Sequence, residues 1–135
     1  MAITYALEPE LDVDEFIDIL RRSTLAERRP IDDLCKMTGM VAGADIIVVA
    51  RSGDKAVGVA RSVSDGHYCT YLSDLAVDVE FQRQGIGRQL IDETHKAIGY
   101  RGNLILLAAP AAREYYPHIG MEAHDSCWIQ SEKSE

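Results

Sequence analysis

Between Tyr68 and Ala108 the chain runs from an apolar strand, through a glycine-bearing turn, into an amphipathic helix and back to an apolar strand. This order constrains the fold more than any other feature. A strand, helix and strand in succession form a βαβ unit, so the strands at 68–77 and 104–108 should lie parallel in one sheet. The helix carries Gly87, Leu90, Ile91, Thr94, Ala97 and Ile98 on one face, with Gly99 as its stop. The run Leu104–Ala108 is apolar on both faces and reads as a fully buried strand.

Upstream, the pattern is antiparallel. Residues 2–6 form a short first strand. A helix starts at Asp12, with Val13, Phe16, Ile17 and Leu20 as its apolar stripe, Asp12 or Asp14 as cap, and Arg21 and Arg22 at the end where the dipole favours cations. A second helix starts near Pro30 with the stripe Ile31, Leu34, Cys35, Thr38 and Val41. The strands Ile46–Ala50, Ala56–Ser62 and Tyr68–Val77 are separated by the turns Ser52-Gly53-Asp54 and Ser64-Asp65-Gly66, which makes a meander. After the βαβ unit, Pro110 opens a short helix that ends before Gly120, and Met121–Ile129 reads as a last strand. The fold class is therefore mixed α/β in one domain spanning 1–135, an antiparallel N-terminal meander followed by a βαβ unit.

Composition excludes several classes. With 47% hydrophobic residues, the 135-residue chain can build a core. No apolar run approaches a membrane span and no signal-like segment opens the chain, so the expected site of action is the cytoplasm, with no membrane partner. A net charge of −8 disfavours nucleic acid. It suits a cationic substrate such as an amine, although most acidic chains are acidic for solubility alone. Cys35, Cys69 and Cys127 are too few and too scattered for a disulfide framework or a zinc site, and read as free buried thiols. The four histidines show no ligand spacing, and no metal is expected.

Chemistry concentrates in Gln82-Arg83-Gln84-Gly85-Ile86-Gly87-Arg88. A helix N-terminus exposes unpaired N–H groups and a positive dipole end, glycines let phosphate oxygens approach, and Arg83 and Arg88 add positive charge. The phosphate loop of the GxxxxGK type is absent, and the dinucleotide fingerprint GxGxxG is incomplete. An ordinary strand-to-helix turn explains a bare GxG equally well.

The flanking residues point further. Gln82 to Gly87 resembles the Q/R-x-x-G-x-G/A motif of the GCN5-related N-acetyltransferases (GNAT), and Leu75-Ala76-Val77-Asp78 resembles the end of that family's fourth strand. Ala112 to Met121 is similar to its A-x-x-F-Y-x-x-x-G-F segment. The order of elements agrees over nearly the whole chain. The resemblance implies acetyl transfer from acetyl-coenzyme A, the cosubstrate, to a primary amine, by direct attack in a ternary complex. It implies that the backbone of Arg83, Gln84, Gly85, Ile86, Gly87 and Arg88, with Gln82, holds the coenzyme pyrophosphate. Leu75, Ala76 and Val77 would pair with the pantetheine arm, in a gap where the strands 68–77 and 104–108 splay apart. The acetyl carbonyl would lie near the amide of Val77 or a neighbour. Tyr116 matches the tyrosine that protonates the leaving thiolate, with Tyr115 structural. The chain departs from the family at Ala109, where an asparagine is common, and at Met121, where phenylalanine is usual.

A base must also take the amine's proton. Asp74 interrupts an apolar strand and is the leading candidate, though a backbone hydrogen-bonding role at a bulge weighs equally. His118 is a weaker one. Asp32, Asp33, Tyr68, His124 and Trp128 are candidates for lining an acceptor pocket. A small-molecule amine is the favoured acceptor, and the wording of the motifs resembles small bacterial and plastid members associated with arylalkylamines. The alternatives are a protein N-terminus or lysine, or a non-catalytic acetyl-coenzyme A sensor. The apolar tail around Cys127, Trp128 and Ile129 suggests a homodimer paired through that strand.

Overall fold

A computed structural model describes residues 2–133. Five strands form one sheet in the order β1 (Ile3–Leu7), β2 (Ile46–Ser52), β3 (Lys55–Ser64), β4 (Cys69–Val77) and β5 (Asn103–Ile105). The first four pair antiparallel, and β4 pairs parallel to β5, as the βαβ reading requires. Helices α1 (Val13–Ser23) and α2 (Leu34–Ala42) cover one face, and α3 (Ile86–Lys96) covers the other. Helix α4 (Tyr115–His118) follows β5.

The α1 boundary follows from its cap, since the Asp12 carboxylate accepts the N–H of Asp14 at 2.9 Å. Its buried side chains are Phe16, Ile17, Ile19, Leu20 and Ser23. Helix α2 starts four residues later than Pro30 suggested, because Asp33 supplies the cap by accepting from the N–H of Lys36 at 3.0 Å. Its apolar content supports two overlapping stripes. Docking on the sheet selects Met37 and Val41 as the buried pair, with Met40 beside them, and leaves Leu34 and Cys35 exposed. On α3, Ile86, Leu90 and Thr94 are buried, and Ile98 just past its end is buried with them.

The C-terminal part differs from the sequence reading. Strand β5 has three residues, and only its Leu104 side packs toward α3, together with Leu106. Ile105 and Leu107 alternate to the opposite side and are more than half exposed, so the run is buried on one face and not on both. Met121–Ile129 forms no strand. No ladder engages this segment, and Trp128 is 91% exposed. The three cysteines are free, yet exposed rather than buried.

What positions the functional region is a defect in β4. Arg61 of β3 faces Asp74 of β4, while the next residue, Ser62, faces Leu72, so Ser73 is an extra residue in a β-bulge. Pairing of β4 with β5 stops at Tyr71 and Ile105, immediately before that bulge. A bulge bends its strand, and from Leu72 to Val77 the β5-facing edge of β4 is unpaired.

Candidate active site

The two candidate clefts meet at the place where β4 and β5 part. The Asp78 N–H donates to the carbonyl of Val57 on β3 at 2.8 Å. Strand alternation then turns the backbone groups of Val77 and Leu75 to the open edge. The Val77 carbonyl there accepts from the Gln82 side-chain amide at 3.1 Å, which ties the following loop to the strand end. Ala76 points to the α1 side and is buried in that core cluster.

Asp78 fixes where the loop starts. Its carboxylate accepts from the N–H of Glu80 at 2.8 Å and pairs with Arg22 at the end of α1. Burial works against its charge, but the Glu80 N–H and the Arg22 guanidinium outweigh burial and hold it below the usual carboxylate range. The loop then takes two left-handed residues, Arg83 at φ 65° and Gly85 at φ 81°. Arg83 is a non-glycine residue there, a conformation that costs about 1 kcal/mol and concentrates at functional sites. Alternating left-handed residues turn successive N–H groups to one side and make an anion-binding nest. Gly85 is the N-cap of α3 and supplies no side-chain acceptor, which leaves the first-turn donors to other partners.

A cleft of about 750 Å³ opens over this turn. Leu75, Val77, Gln82, Arg83, Gly85, Ile86, Gly87 and Arg88 line it, together with Phe81, Ala112, Tyr115, Tyr116, His118 and Ile119. Of the expected coenzyme residues, Ala76 and Gln84 do not. The lining holds two arginines and, among the described residues, no carboxylate, so the cleft is suited to an anion although the chain is acidic. An unpaired strand edge, a nest and an uncapped helix end together fit the amide-bearing arm and pyrophosphate of a coenzyme A.

A second cleft, of about 280 Å³, lies on the other side of the splay. Its lining includes Leu25, Arg28, Arg29, Tyr71, Ser73, Leu75 and the segment Leu106–Ala109. Leu75, Ala112 and Tyr116 border both clefts. Tyr116 therefore sits at their junction. Burial raises its hydroxyl above the ordinary phenol range, and the neighbouring Tyr115 adds to this. The Tyr115 and Tyr116 rings meet edge to face, 5.3 Å between centroids.

Tyr115 does more than the sequence suggested. Its hydroxyl sits where a side chain on Gly87 would go, 2.8 Å from an added Cβ. Glycine at 87 therefore makes room for the Tyr115 phenol. Nothing in the spacing of two adjacent tyrosines signals this.

Asp74, expected as a possible base, lines neither cleft. It is fully buried on the α1 face, away from the clefts lined by its neighbours Ser73 and Leu75. Both its oxygens are taken by guanidiniums, one by Arg29 and one by Arg61. Arg29 also donates to the Ser73 carbonyl at 2.9 Å, and Arg61 to the Ser73 hydroxyl at 3.1 Å and the Met40 carbonyl at 3.3 Å. This cluster holds the bulge to α2 and to the turn after α1. Asp32, Asp33, Tyr68, His124 and Trp128 line neither cleft, and His118 lines only the cleft over the turn.

Residues 43–122, more than half of the chain, match the family model described as the acetyltransferase (GNAT) domain. A relative from Arabidopsis thaliana, GCN5-related N-acetyltransferase 2, chloroplastic, is 35% identical over 71 residues, which are 51% of this chain and 28% of that protein. The match thus spans less than a third of that relative's length. An aminoglycoside acetyltransferase from an uncultured soil metagenomic sample, solved with sisomicin, superposes with a TM-score of 0.75 at 22% identity, over 98% of this chain and 97% of that one. An aminoglycoside N-acetyltransferase solved with coenzyme A gives 0.74 at 15% identity, over 98% and 96%. The extent of the domain match, on a sheet splayed at β4 and β5 beside a glycine turn, shows that the chain belongs to the GNAT family of acetyltransferases.

Proposed function

We propose that the chain transfers the acetyl group of acetyl-coenzyme A to the amine of a small molecule. The observation that carries this reading is Tyr116 at the junction of the two clefts, one built for an anionic chain and the other open to an acceptor. The backbone of 83–88 would hold the pyrophosphate, and the open edge at Leu75 and Val77 the pantetheine amides. Acetyl-coenzyme A supplies an activated acyl carbon and a thiol leaving group.

The amine nitrogen forms the new C–N bond as the C–S bond breaks. The N–H of Val77 lies on the open edge, where it can stabilise charge on the acyl oxygen. Tyr116 gives its proton to the departing sulfur, whose thiol has an ordinary value of about 8.5. Its raised phenol stays protonated at neutral pH and so remains a donor. The acceptor cleft contains neither carboxylate nor histidine among the described residues, so the amine releases its proton to water, and Tyr116 regains one from solvent.

The sensor reading leaves Tyr116 without a role. A small molecule is favoured over a peptide by a cleft at the small end of ligand sites. The test is free thiol release from acetyl-coenzyme A in the presence of a panel of amines. Release that requires both substrates supports transfer. Coenzyme binding with no amine-dependent release from any class would replace it by the sensor reading.

A further inference from the structure

The charge of the acceptor cleft points away from a polycationic acceptor. We infer, resting on the transfer reading, that the acceptor is an amine that also bears a carboxylate, and that Arg28 recognises that group. The only charged residues lining the cleft are Arg28 and Arg29, among the described residues. One acid, Asp74, lies behind them, and it is shared between Arg29 and Arg61, so that cluster retains one net positive charge. The chain's charge of −8 is carried elsewhere and does not set the local field.

The two cleft arginines differ in what they have left to give. Arg29 spends its donors on Asp74, the Ser73 carbonyl and the Arg28 carbonyl. The Arg28 side chain enters no ion pair or hydrogen bond among the described residues, and it is exposed. Arg29 donates to the Arg28 carbonyl at 2.8 Å, so the backbone of Arg28 is tied to the buried cluster while its planar fork stays available. A carboxylate meets that fork with two parallel hydrogen bonds, and its charge offsets the field that an ammonium alone would face. The apolar remainder, including Leu25, Leu106 and Leu107, suits the carbon skeleton between the two groups.

The test compares α-, β- and ω-amino acids with their own carboxamides, and with spermidine, as acceptors for the wild-type chain, Arg28→Lys and Arg28→Glu. The wild type should favour each accepted acid over its carboxamide by roughly tenfold in kcat/KM, carried by KM, and the preference should shrink with added salt. Arg28→Glu should cancel or invert that ratio and improve spermidine, and Arg28→Lys should keep part of it. Equal use of acid and carboxamide by the wild type, or a ratio unchanged in Arg28→Glu, overturns the inference and leaves acetyl transfer standing. No transfer to any amine overturns both. If Arg28→Glu does not fold, the wild-type ratio and its salt dependence decide.

Discussion

Replacing Asp74 by Asn separates a structural acid from a catalytic one. The side chain is fully buried and its two oxygens serve Arg29 and Arg61. An amide keeps the shape and one acceptor oxygen, but turns an NH2 toward one of the guanidiniums and removes the negative charge between them. Breaking a buried charge pair by removing one partner costs about 3–5 kcal/mol. Over 135 residues, an unfolding entropy of about 2.1 cal/mol/K per residue sums to about 0.28 kcal/mol/K. A loss of about 3 kcal/mol then lowers Tm by about 10 °C. The assay is thermal unfolding beside turnover measured well below the midpoint. The account predicts the drop in Tm with kcat per folded molecule within a few-fold of wild type. Arg29→Gln combined with Asp74→Asn should cost less than the two single losses added together. A fall in kcat of about 100-fold with Tm unchanged would refute the reasoning and return Asp74 to the role of base.

Other outcomes follow from the same geometry. Gly85→Ala meets no neighbour but forces alanine to φ 81°, so stability should fall by about 1 kcal/mol in chemical denaturation, with weaker coenzyme A binding in calorimetry. Gly87→Ala pushes on the Tyr115 hydroxyl, and the dissociation constant for coenzyme A should rise in the same titration. Asp65, which accepts the N–H groups of Tyr68, His67 and Cys69, is lowered from 3.8 to about 2 in the folded chain. A depressed carboxyl stabilises fully above its unfolded value and loses that contribution as pH falls through the folded one. The stability difference between wild type and Asp65→Asn in urea should therefore vanish between pH 4 and pH 2. The pH profile of kcat/KM should rise toward the acceptor amine's own pKa with no protein base below it, and bend down only above pH ~10, because burial raises Tyr116.

Much of the fold was legible because its periods are strong. The turns Ser52-Gly53-Asp54 and Ser64-Asp65-Gly66 between apolar runs gave the meander, and the strand, helix and strand order across Gly85 gave the βαβ unit with its parallel pair. The turn before α3 was legible from Gly85 and Gly87, whereas a phosphate-binding role for it came only from the resemblance of Gln82 to Gly87, since a bare GxG fits an ordinary turn equally well. The positive φ of Arg83 was not, since arginine carries no signal for it. The α2 boundary was misjudged because Pro30 and Asp33 are both good start signals, and the Asp33 cap decided. Leu104–Ala108 looked doubly buried because apolar residues stand at every position, but Ile105 and Leu107 have no covering layer. Asp74 was ambiguous in the sequence for a related reason. A lone acid in an apolar strand marks either chemistry or a buried pair, and its partners lie 45 and 13 residues away in sequence.

The central claim is that Tyr116 donates the proton to the leaving sulfur from the junction of the two clefts. Tyr116→Phe keeps the ring and removes only the hydroxyl, so turnover and coenzyme A affinity measured on one preparation test it directly. The account predicts a fall in kcat of about 100-fold with the calorimetric affinity for coenzyme A unchanged. An unchanged kcat, or a loss carried entirely by weaker coenzyme binding, would contradict it.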